Sequence, residues 1–269
     1  MKYDRSSPIA IPVSKNGFTM FNFQSLDSIP GLRYGIFGRS GGISKAPYDA
    51  LNVAFSTGDS RENVLKNIEL VRQELGFPFI VNCNQVHGTK IVIIDESKWS
   101  HFRASSNPIF LGDGDAMVTN LPNIGLMVKT GDCQAIILVD PKRHVVANVH
   151  CGWRGNVQNI AGLVVKAMKE RFGSAPEDII AAISPSLGPC CAEFVNYRQE
   201  IPEDFWRFKL RDNHFDLWAI TTHELVAAGL KPYNVHVSGW CTRCHPEYFF
   251  SYRREKQSGR MPVVVGWKE

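Results

Sequence analysis

The chain has 269 residues, a formal net charge of +4, 44% hydrophobic residues and 21% charged residues. This composition is ordinary for a globular protein, and the length suffices for one large domain or two small ones. No apolar run reaches the roughly 18 residues that span a bilayer, the N-terminus lacks the features of a secretory signal, and no large block of lysine or arginine is present. We therefore expect a cytoplasmic protein that acts on small molecules and binds neither nucleic acid nor membrane.

In chain order, apolar periodicity predicts a series of helices and strands after a lead-in over residues 1–32. One helix begins after Ser60 and ends at Gly76, because its apolar residues recur on one face and a glycine closes it. Two further helices are predicted over residues 157–172 and 216–228. Strands are predicted over residues 91–94, 124–128, 135–139, 145–149, 235–238 and 261–265. Without a repeat or a linker, the pattern indicates one mixed α/β domain over residues 1–269.

Three residues with metal-binding side chains lie beside predicted strands: His87, Cys133 and His150. Two imidazoles and a thiolate form a ligand set that zinc uses when a fourth position stays open for water or substrate. Strand ends at one edge of an α/β sheet are also where site residues collect. The spacing matches no local metal motif, and each residue alone is more typical of a buried core position. The metal site is therefore a hypothesis that requires the three residues to meet in space.

Two neighbouring residues add chemistry to this hypothesis. Asp132 is a candidate catalytic residue, either as a proton acceptor or as a partner that orients a histidine, although it also suits a turn after Gly131. Arg154 lies between two glycines at the start of a predicted helix, where it could form a salt bridge or bind an anion. A cation at a helix N-terminus opposes the helix dipole, which favours a bound anion.

The cysteines allow other interpretations. Cys133 and His150 could form the nucleophile pair of a thiol hydrolase, but that mechanism would leave His87 without a role, so the pattern favours a metal. Cys241 and Cys244 have the spacing of a haem attachment site or of half a zinc ribbon. Export for haem attachment is not indicated, and the adjacent cysteines at 190 and 191 lack ribbon spacing. We therefore predict an ordinary packed loop there.

Six ordered motifs resemble those of the laccase-domain, or YfiH-like, family of bacterial proteins. They are Val-His-Gly at 86–88, Gly-Asp-Ala-Met-Val-Thr at 114–119, Gly-Asp-Cys at 131–133, Val-His-Cys-Gly-Trp-Arg-Gly at 149–155, Ile-Ser-Pro-Ser-Leu-Gly-Pro-Cys-Cys at 183–191, and Phe-Phe-Ser-Tyr-Arg-Arg followed by Ser-Gly-Arg at 249–260. That family carries three labels: multicopper polyphenol oxidase, peptidoglycan editing factor, and purine nucleoside phosphorylase with adenosine deaminase activity. The resemblance covers about residues 33–267.

The resemblance implies a compact fold of layered mixed sheets flanked by helices. It also implies that His87, Cys133 and His150 hold a metal, taken as Zn²⁺, with copper as the alternative. The chain departs from the usual family pattern at Gly131 and Cys151. The side chain of Cys151 should point to the opposite side of its strand from His150, so we expect it to be a bystander.

For the substrate, the resemblance implies a purine nucleoside and phosphate, with Arg39 and Asn52 lining the pocket beside Arg154. Metal-activated hydroxide would deaminate adenosine, and bound phosphate would attack the anomeric carbon in phosphorolysis. A hydrolase that edits peptidoglycan precursors remains an alternative. A copper polyphenol oxidase is less consistent, because the eight histidines are scattered and form no His-x-His pair. The general base, the preferred nucleoside and the oligomeric state stay open.

Overall fold

A computed structural model describes residues 9–269, so the first residues of the predicted lead-in, 1–8, lie outside the described residues. Within 9–269 the strands are β1 Ile11–Lys15, β2 Phe18–Asn22, β3 Leu32–Ile36, β4 Phe79–Asn84, β5 Ile91–Ile94, β6 Ile109–Asp113, β7 Ala116–Thr119, β8 Ile124–Thr130, β9 Gln134–Asp140, β10 Val145–Cys151, β11 Ile180–Ile183, β12 Lys209–Arg211, β13 His214–Phe215, β14 Val235–Val237 and β15 Met261–Trp267. The α-helices are α1 Gln24–Asp27, α2 Arg61–Leu75, α3 Glu96–Phe102, α4 Trp153–Val157, α5 Ile160–Phe172, α6 Tyr197–Glu200, α7 Leu217–Ala227 and α8 Tyr252–Glu255.

Two mixed sheets form the centre of the fold. The larger has six strands in the order β14-β11-β9-β10-β7-β5, and the smaller has five in the order β3-β15-β8-β4-β6. Antiparallel pairs lie in the middle of the larger sheet, while β14 and β5 pair in parallel at its edges. In the smaller sheet β4 pairs in parallel with both β8 and β6. Two short hairpins, β1-β2 and β12-β13, complete the strands of the described residues.

The two sheets face each other across the main hydrophobic core. Side chains such as Ile137 from β9 and Val263 from β15 meet there, and both are almost fully buried. The outer face of the larger sheet packs against α5 and α7, and α2 covers the outer face of the smaller sheet. Burial of each such side chain contributes about 1.5–3 kcal/mol. The predicted mixed α/β fold with layered sheets flanked by helices is confirmed.

Local sequence signals explain most helix boundaries. The helix predicted after Ser60 is α2, and Gly76 ends it with a left-handed φ of 69°. The prediction of one continuous helix over residues 157–172 is wrong at its start. Asn159 adopts a left-handed φ of 56°, which breaks the helix, and its side chain accepts a hydrogen bond from the Gly162 amide to cap α5. Asparagine tolerates this conformation better than most residues, so α4 is a separate short helix that carries Arg154.

Strand pairing in the larger sheet positions the predicted metal ligands. Cys133 immediately precedes β9, and His150 lies near the end of β10, opposite Ala135 in the antiparallel register. His87 lies in the loop between β4 and β5, and β5 belongs to the same sheet. The described part of the lead-in forms the β1-β2 hairpin. None of the helices within residues 9–269 has both the length and the apolar character of a membrane span.

Candidate metal centre

The three predicted ligands meet in space. The ligand atoms of His87, Cys133 and His150 all lie within 4.8 Å of one another, and the two imidazole rings stand edge to face with their centroids 4.8 Å apart. His150 is buried, Cys133 is half-buried and His87 is exposed, so the cluster opens on one side. A three-ligand set with an open side is typical of catalytic rather than structural zinc.

A glycine leaves room for this cluster. A Cβ atom at Gly152 would lie 3.0 Å from the Cys133 sulfur and 3.2 Å from Cδ2 of His87. Both distances are tighter than ordinary van der Waals contact, so any larger residue would push the two ligands aside. Close packing against Cys133 and His87 therefore explains why the His-Cys-Gly-Trp-Arg motif has a glycine at this position.

Asp115 fixes the orientation of two of the ligands. Its Oδ1 lies 2.8 Å from Nδ1 of His150 and accepts a hydrogen bond from the backbone amide of His87, while its Oδ2 accepts one from the amide of Gly88. Because Nδ1 of His150 is engaged, Nε2 is the nitrogen left for a metal. Burial opposes ionisation of Asp115, but the hydrogen bonds from His150 and the Gly88 amide lower its pKa below the usual value.

Asp115 was not singled out from the sequence. It lies within the Gly-Asp-Ala motif at residues 114–119, but nothing in the spacing indicated that it would contact His150. The sequence-based hypothesis offered two roles for Asp132, proton acceptor or histidine-orienting carboxylate, and in the structure the carboxylate that contacts a histidine ring of the cluster is that of Asp115.

The electrostatics of the cluster favour a charged thiolate. Burial raises the pKa of the Cys133 thiol, but the adjacent His150 and the hydrogen bonds from both histidines more than offset this and lower that pKa to about 6. Burial alone would lower the pKa of His150, yet the Cys133 thiolate and Asp115 raise it to about 9. Metal ligation and a thiol nucleophile both need the thiolate. The metal is favoured by His87, the third ligand, which a thiol hydrolase would not need.

The three candidate ligands lie in the wall of a cavity of about 620 Å³, a volume in the range typical of small-molecule sites. Cationic side chains and aromatic rings line the cavity, and among them sequence analysis assigned a role only to Arg154. They are Lys129, Arg154, Arg253, Lys256, Arg260, Phe55, Phe110, Trp153, Phe194 and Tyr252. Basic groups suit a phosphate, and flat rings suit a heterocyclic base. The chemistry of the lining therefore suits both a phosphate group and a flat heterocyclic base.

Arg154 lies on α4 and lines the cavity, with its guanidinium carbon 4.5 Å from the ring centroid of Trp153. Among the residues that the structure describes, no carboxylate forms an ion pair with it. The salt bridge considered as its alternative role is therefore not seen. Its stacked and exposed guanidinium is available to a ligand.

The structure does not bring Arg39 and Asn52 to the cavity lining. Arg39 donates hydrogen bonds to the backbone oxygens of Asp49 and Pro246 and forms a salt bridge with Asp49. Asn52 is fully buried, and its Oδ1 accepts a hydrogen bond from the backbone amide of Arg260, which does line the cavity. Asn52 thus supports the wall from behind, whereas the hydrogen bonds of Arg39 go to residues outside the cavity lining. Direct contact of either residue with substrate stays a prediction.

Asp132 lines the cavity, but its carboxylate already has protein partners. Its Oδ1 accepts a hydrogen bond from the Thr242 hydroxyl at 2.7 Å, and its Oδ2 accepts one from the backbone amide of Arg253 at 2.6 Å. These bonds connect the Asp-Cys turn to the loop after β14 and to α8. A role as proton acceptor stays a prediction.

Comparison with known proteins agrees with the motifs. Residues 33–268 match the model of a family described as multi-copper polyphenol oxidoreductase laccase. The chain belongs to this family. The crystal structure of YlmD from Geobacillus stearothermophilus is 30% identical and covers 98% of this chain and 100% of its own, with a TM-score of 0.85. A Bacillus licheniformis protein, YfiH, is 26% identical with a TM-score of 0.82 over 95% of this chain and 98% of its own.

Two named relatives indicate the activities found among such proteins. Purine nucleoside phosphorylase YlmD of G. stearothermophilus is 32% identical over 87% of this chain and 90% of its own length. A protein named adenosine deaminase RL5, from an unknown prokaryotic organism, is 35% identical over 77% of this chain and 82% of its own length. The laccase-domain resemblance stated from the motifs is therefore confirmed.

Proposed function

We propose that this family member is a metal-dependent enzyme that cleaves purine nucleosides with phosphate. The observation that carries the proposal is the juxtaposition of the His87, Cys133 and His150 cluster with a cavity lined by cations and aromatic rings. The names of the relatives support the same class of substrate. The charge of the cavity alone would suit many anionic ligands. The proposed reaction therefore rests on the combination of the three-residue cluster with the cations and aromatic rings of the cavity.

The donor set fits zinc. Two imidazole nitrogens and one thiolate, with Asp115 fixing one imidazole from behind, are ligands of the type that catalytic zinc uses. A bound Zn²⁺ would supply Lewis acidity at the cavity wall. Copper is the alternative, because soft thiolate and imidazole ligands also suit it.

Aromatic side chains are proposed to hold the purine. Phe55 and Phe110 have ring centroids 6.3 Å apart, and Tyr252 also lines the cavity. Offset stacking of a base on such rings is favourable and does not require a particular pattern of hydrogen bonds. The nucleoside would therefore be positioned mainly by its flat surface, with polar atoms of the wall selecting its orientation.

Two cations are proposed to bind phosphate. Arg253 donates a hydrogen bond to the backbone carbonyl of Glu193, and Arg260 donates one to that of Gly259. The Lys129 amine donates to the carbonyl of Cys83, so these three cations are partly engaged. In contrast, Arg154 stacks on Trp153, and the Lys256 amine lies 5.2 Å from the ring centroid of Tyr252. Contacts with rings leave the N–H groups of Arg154 and Lys256 free to donate to phosphate oxygens.

In phosphorolysis a phosphate oxygen forms a bond to the anomeric carbon while the bond from that carbon to the purine nitrogen breaks. The electron pair of the broken bond leaves with the purine, which takes up one proton, and the products are the free base and ribose 1-phosphate. The chain's contribution is to hold phosphate and sugar in line and to neutralise the phosphate charge. Such positioning accounts for much of the acceleration of two-substrate reactions.

Adenosine deamination is a second candidate activity, because the metal cluster has an open side and one relative bears that name. In this reaction water adds at C6 of the purine and ammonia leaves. Asp132 lies beside Cys133 in the cavity lining and is the residue we propose as proton acceptor. Its two existing hydrogen bonds would hold the carboxylate in place.

The decisive experiment measures adenosine and inosine turnover by the zinc-loaded protein, with and without phosphate. Phosphorolysis predicts phosphate-dependent release of the free base, and deamination predicts conversion of adenosine to inosine without phosphate. A Cys133→Ala variant should lose both the metal of this cluster and the turnover. The matched control is Cys83→Ala, which removes a buried thiol of β4 that does not line the cavity. Full turnover by Cys133→Ala would overturn the proposal.

Two additions to this assay, chelation of the metal and peptidoglycan precursors as substrates, separate the remaining alternatives. A thiol hydrolase would keep its activity after chelation of the metal, because only Cys133 and His150 would act. An enzyme that edits peptidoglycan precursors would act on those precursors and leave nucleosides unchanged. A multicopper oxidase would need several coppers, whereas residues 9–269 contain two groups of His, Cys and carboxylate side chains close enough to hold an ion, and only one of them contains histidine.

A further inference from the structure

Four of the seven cysteines lie together away from the His87 cluster. The sulfur atoms of Cys190, Cys191, Cys241 and Cys244 all lie within 4.8 Å of one another. Cys244 is central, with its sulfur 3.6 Å from that of Cys190 and 3.5 Å from that of Cys191. The first pair follows β11 and the second pair follows β14, two strands that pair in parallel at the edge of the larger sheet.

We propose that these four thiols hold a second, structural zinc ion. Structural zinc is bound by four ligands in a closed tetrahedron, and four cysteines are a common set. A zinc–sulfur bond of about 2.3 Å places the sulfurs of such a tetrahedron about 3.8 Å apart. The two close sulfur pairs approach this separation without a metal in place.

The geometry is less suited to the other uses of clustered thiols. A disulfide needs sulfurs about 2.05 Å apart, and these pairs are well beyond that distance. An iron–sulfur cluster places several iron atoms between its thiolates and so spreads the sulfurs more widely. A single tetrahedral ion therefore fits the spacing best.

The surroundings of the thiols suit a negatively charged site. Four thiolates around one Zn²⁺ carry an excess negative charge, which N–H donors and nearby cations can offset. The backbone amide of Gly188 donates to the Cys241 sulfur at 3.3 Å. The guanidinium groups of Arg211 and Arg253 donate to the backbone carbonyls of Cys190 and Cys191, which places two positive charges beside the cluster.

The site would join two loops that run side by side, one after β11 and one after β14. Ser186 forms an isolated parallel bridge with Cys241, its amide donates to the carbonyl of Trp240, and its carbonyl accepts from the amide of Thr242. Past this short bridge, the Gly188 amide contacts the Cys241 sulfur, and the thiols of the two loops contact one another. A metal shared by the two cysteine pairs would fix both loops at once.

The joined loops form part of the cavity wall near the first metal. The Thr242 hydroxyl donates to Oδ1 of Asp132, and the amide of Leu187 donates to the Asp132 carbonyl. Leu187 itself lines the cavity. The second zinc would therefore act as a positioning element for the Asp-Cys turn, without contacting substrate.

This proposal corrects the sequence-based expectation of an ordinary packed loop. Cys190 and Cys191 are adjacent and so lack the spacing of a zinc ribbon, which is why they were not paired with Cys241 and Cys244. The parallel pairing of β11 with β14 brings the two segments together. Local spacing cannot reveal a site whose halves are adjacent only in the folded chain.

The first test counts zinc in the purified protein and in three variants after dialysis against a weak chelator. The wild type should hold about one more equivalent than Cys244→Ser, and the Cys83→Ala control should match the wild type. Cys133→Ala should lose the other equivalent and keep this one. Equal zinc in Cys244→Ser and wild type would overturn the proposal. The assay therefore distinguishes loss of this site from failure of the proposed catalytic centre.

A second test does not depend on whether Cys244→Ser folds. Cys133→Ala, which keeps all four thiols of the cluster, is loaded with Co²⁺ in place of zinc. Tetrahedral cobalt bound to four thiolates gives intense d–d bands and strong sulfur-to-cobalt charge-transfer absorption. Their appearance at about one equivalent supports the proposal. Weak octahedral absorption, or a disulfide among the four cysteines by mass spectrometry, would contradict it.

Discussion

At the scale of single residues, Asp115 is the most informative side chain of the candidate centre because it supports two metal ligands at once. Removal of such a partner typically weakens metal affinity by about 10–100-fold. We expect Asp115→Asn to bind zinc correspondingly less tightly in competition with a chromogenic chelator. The matched control, Asp113→Asn, makes the same charge change at an exposed residue of β6 and should keep wild-type affinity. Equal zinc affinity in Asp115→Asn and wild type would show that the hydrogen bond to His150 is not needed.

Glu224 makes the stability depend on pH. Burial on α7 raises the pKa of its carboxyl from the usual 4.5 to about 8. Between these two pH values the unfolded chain releases a proton that the folded chain retains, so stability falls as the pH rises through this window. Glu224→Gln stays neutral and should be more stable than wild type at pH 8 by about 4 kcal/mol, with a difference below about 1 kcal/mol at pH 5.

Urea unfolding at the two pH values tests this expectation. The control is Glu170→Gln on α5, whose side chain is 60% exposed and forms a surface pair with Lys166. That change should leave the pH dependence of the unfolding free energy as it is in the wild type. If the unfolding free energies of Glu224→Gln and wild type change equally with pH, the buried Glu224 carboxyl does not determine the pH dependence of stability.

Residue roles were only partly predictable from the sequence. The cluster of His87, Cys133 and His150 was predicted because these side chains have distinctive chemistry and lie beside strands. The roles of Arg39 and Asn52 came from resemblance alone, and a motif does not indicate whether a side chain faces the cavity or supports it from behind. Their hydrogen bonds to neighbouring loops could be found only in the folded structure.

At the scale of elements, the break between α4 and α5 depends on Asn159. Asn159→Ala removes the side-chain cap and places a Cβ-bearing, non-asparagine residue in the left-handed region, so we expect a loss of about 2 kcal/mol. Asn159→Gly loses the cap but adopts this conformation easily and should lose a few tenths of a kcal/mol. Denaturant unfolding measures both. Equal losses in the two variants would mean that the backbone conformation contributes nothing to the difference.

Helices and strands with a clear hydrophobic pattern were predicted well. The apolar face of α2 and the buried strands β8, β9 and β10 follow directly from hydrophobic pattern, because each element buries a continuous face or run. The helix break at Asn159 was missed, since the apolar pattern continues through it. The cap is a local side-chain hydrogen bond that competes with the helical period.

At the scale of the whole molecule, β15 completes the smaller sheet. It lies between β3 and β8, pairs with both, and all seven of its residues are buried. A chain that ends at Gly259 would leave two strand edges and the inner apolar face exposed. We expect this truncated chain to be insoluble or to lack a cooperative thermal transition, whereas removal of residues 268–269 should leave the transition unchanged. A cooperative transition in the chain ending at Gly259 would contradict this view of β15.

The layered architecture was predicted from the family resemblance rather than from the pattern of strands. Periodicity identified individual strands of both sheets, but it gave no order for them. Strand order depends on contacts between distant segments, such as β4 with β8 and β11 with β14. The four-thiol cluster depends on the same kind of contact, and for that reason it was also missed.

The position of β15 also has a consequence for the time course of folding. Its partner β3 lies near the other end of the described chain, while β9 and β10 are joined by a short turn. Contacts between distant segments cost more chain entropy and form late. In a refolding experiment with pulsed amide exchange, we expect the amides of β9 and β10 to become protected first. Protection of β3 should come last, together with the closing of the smaller sheet.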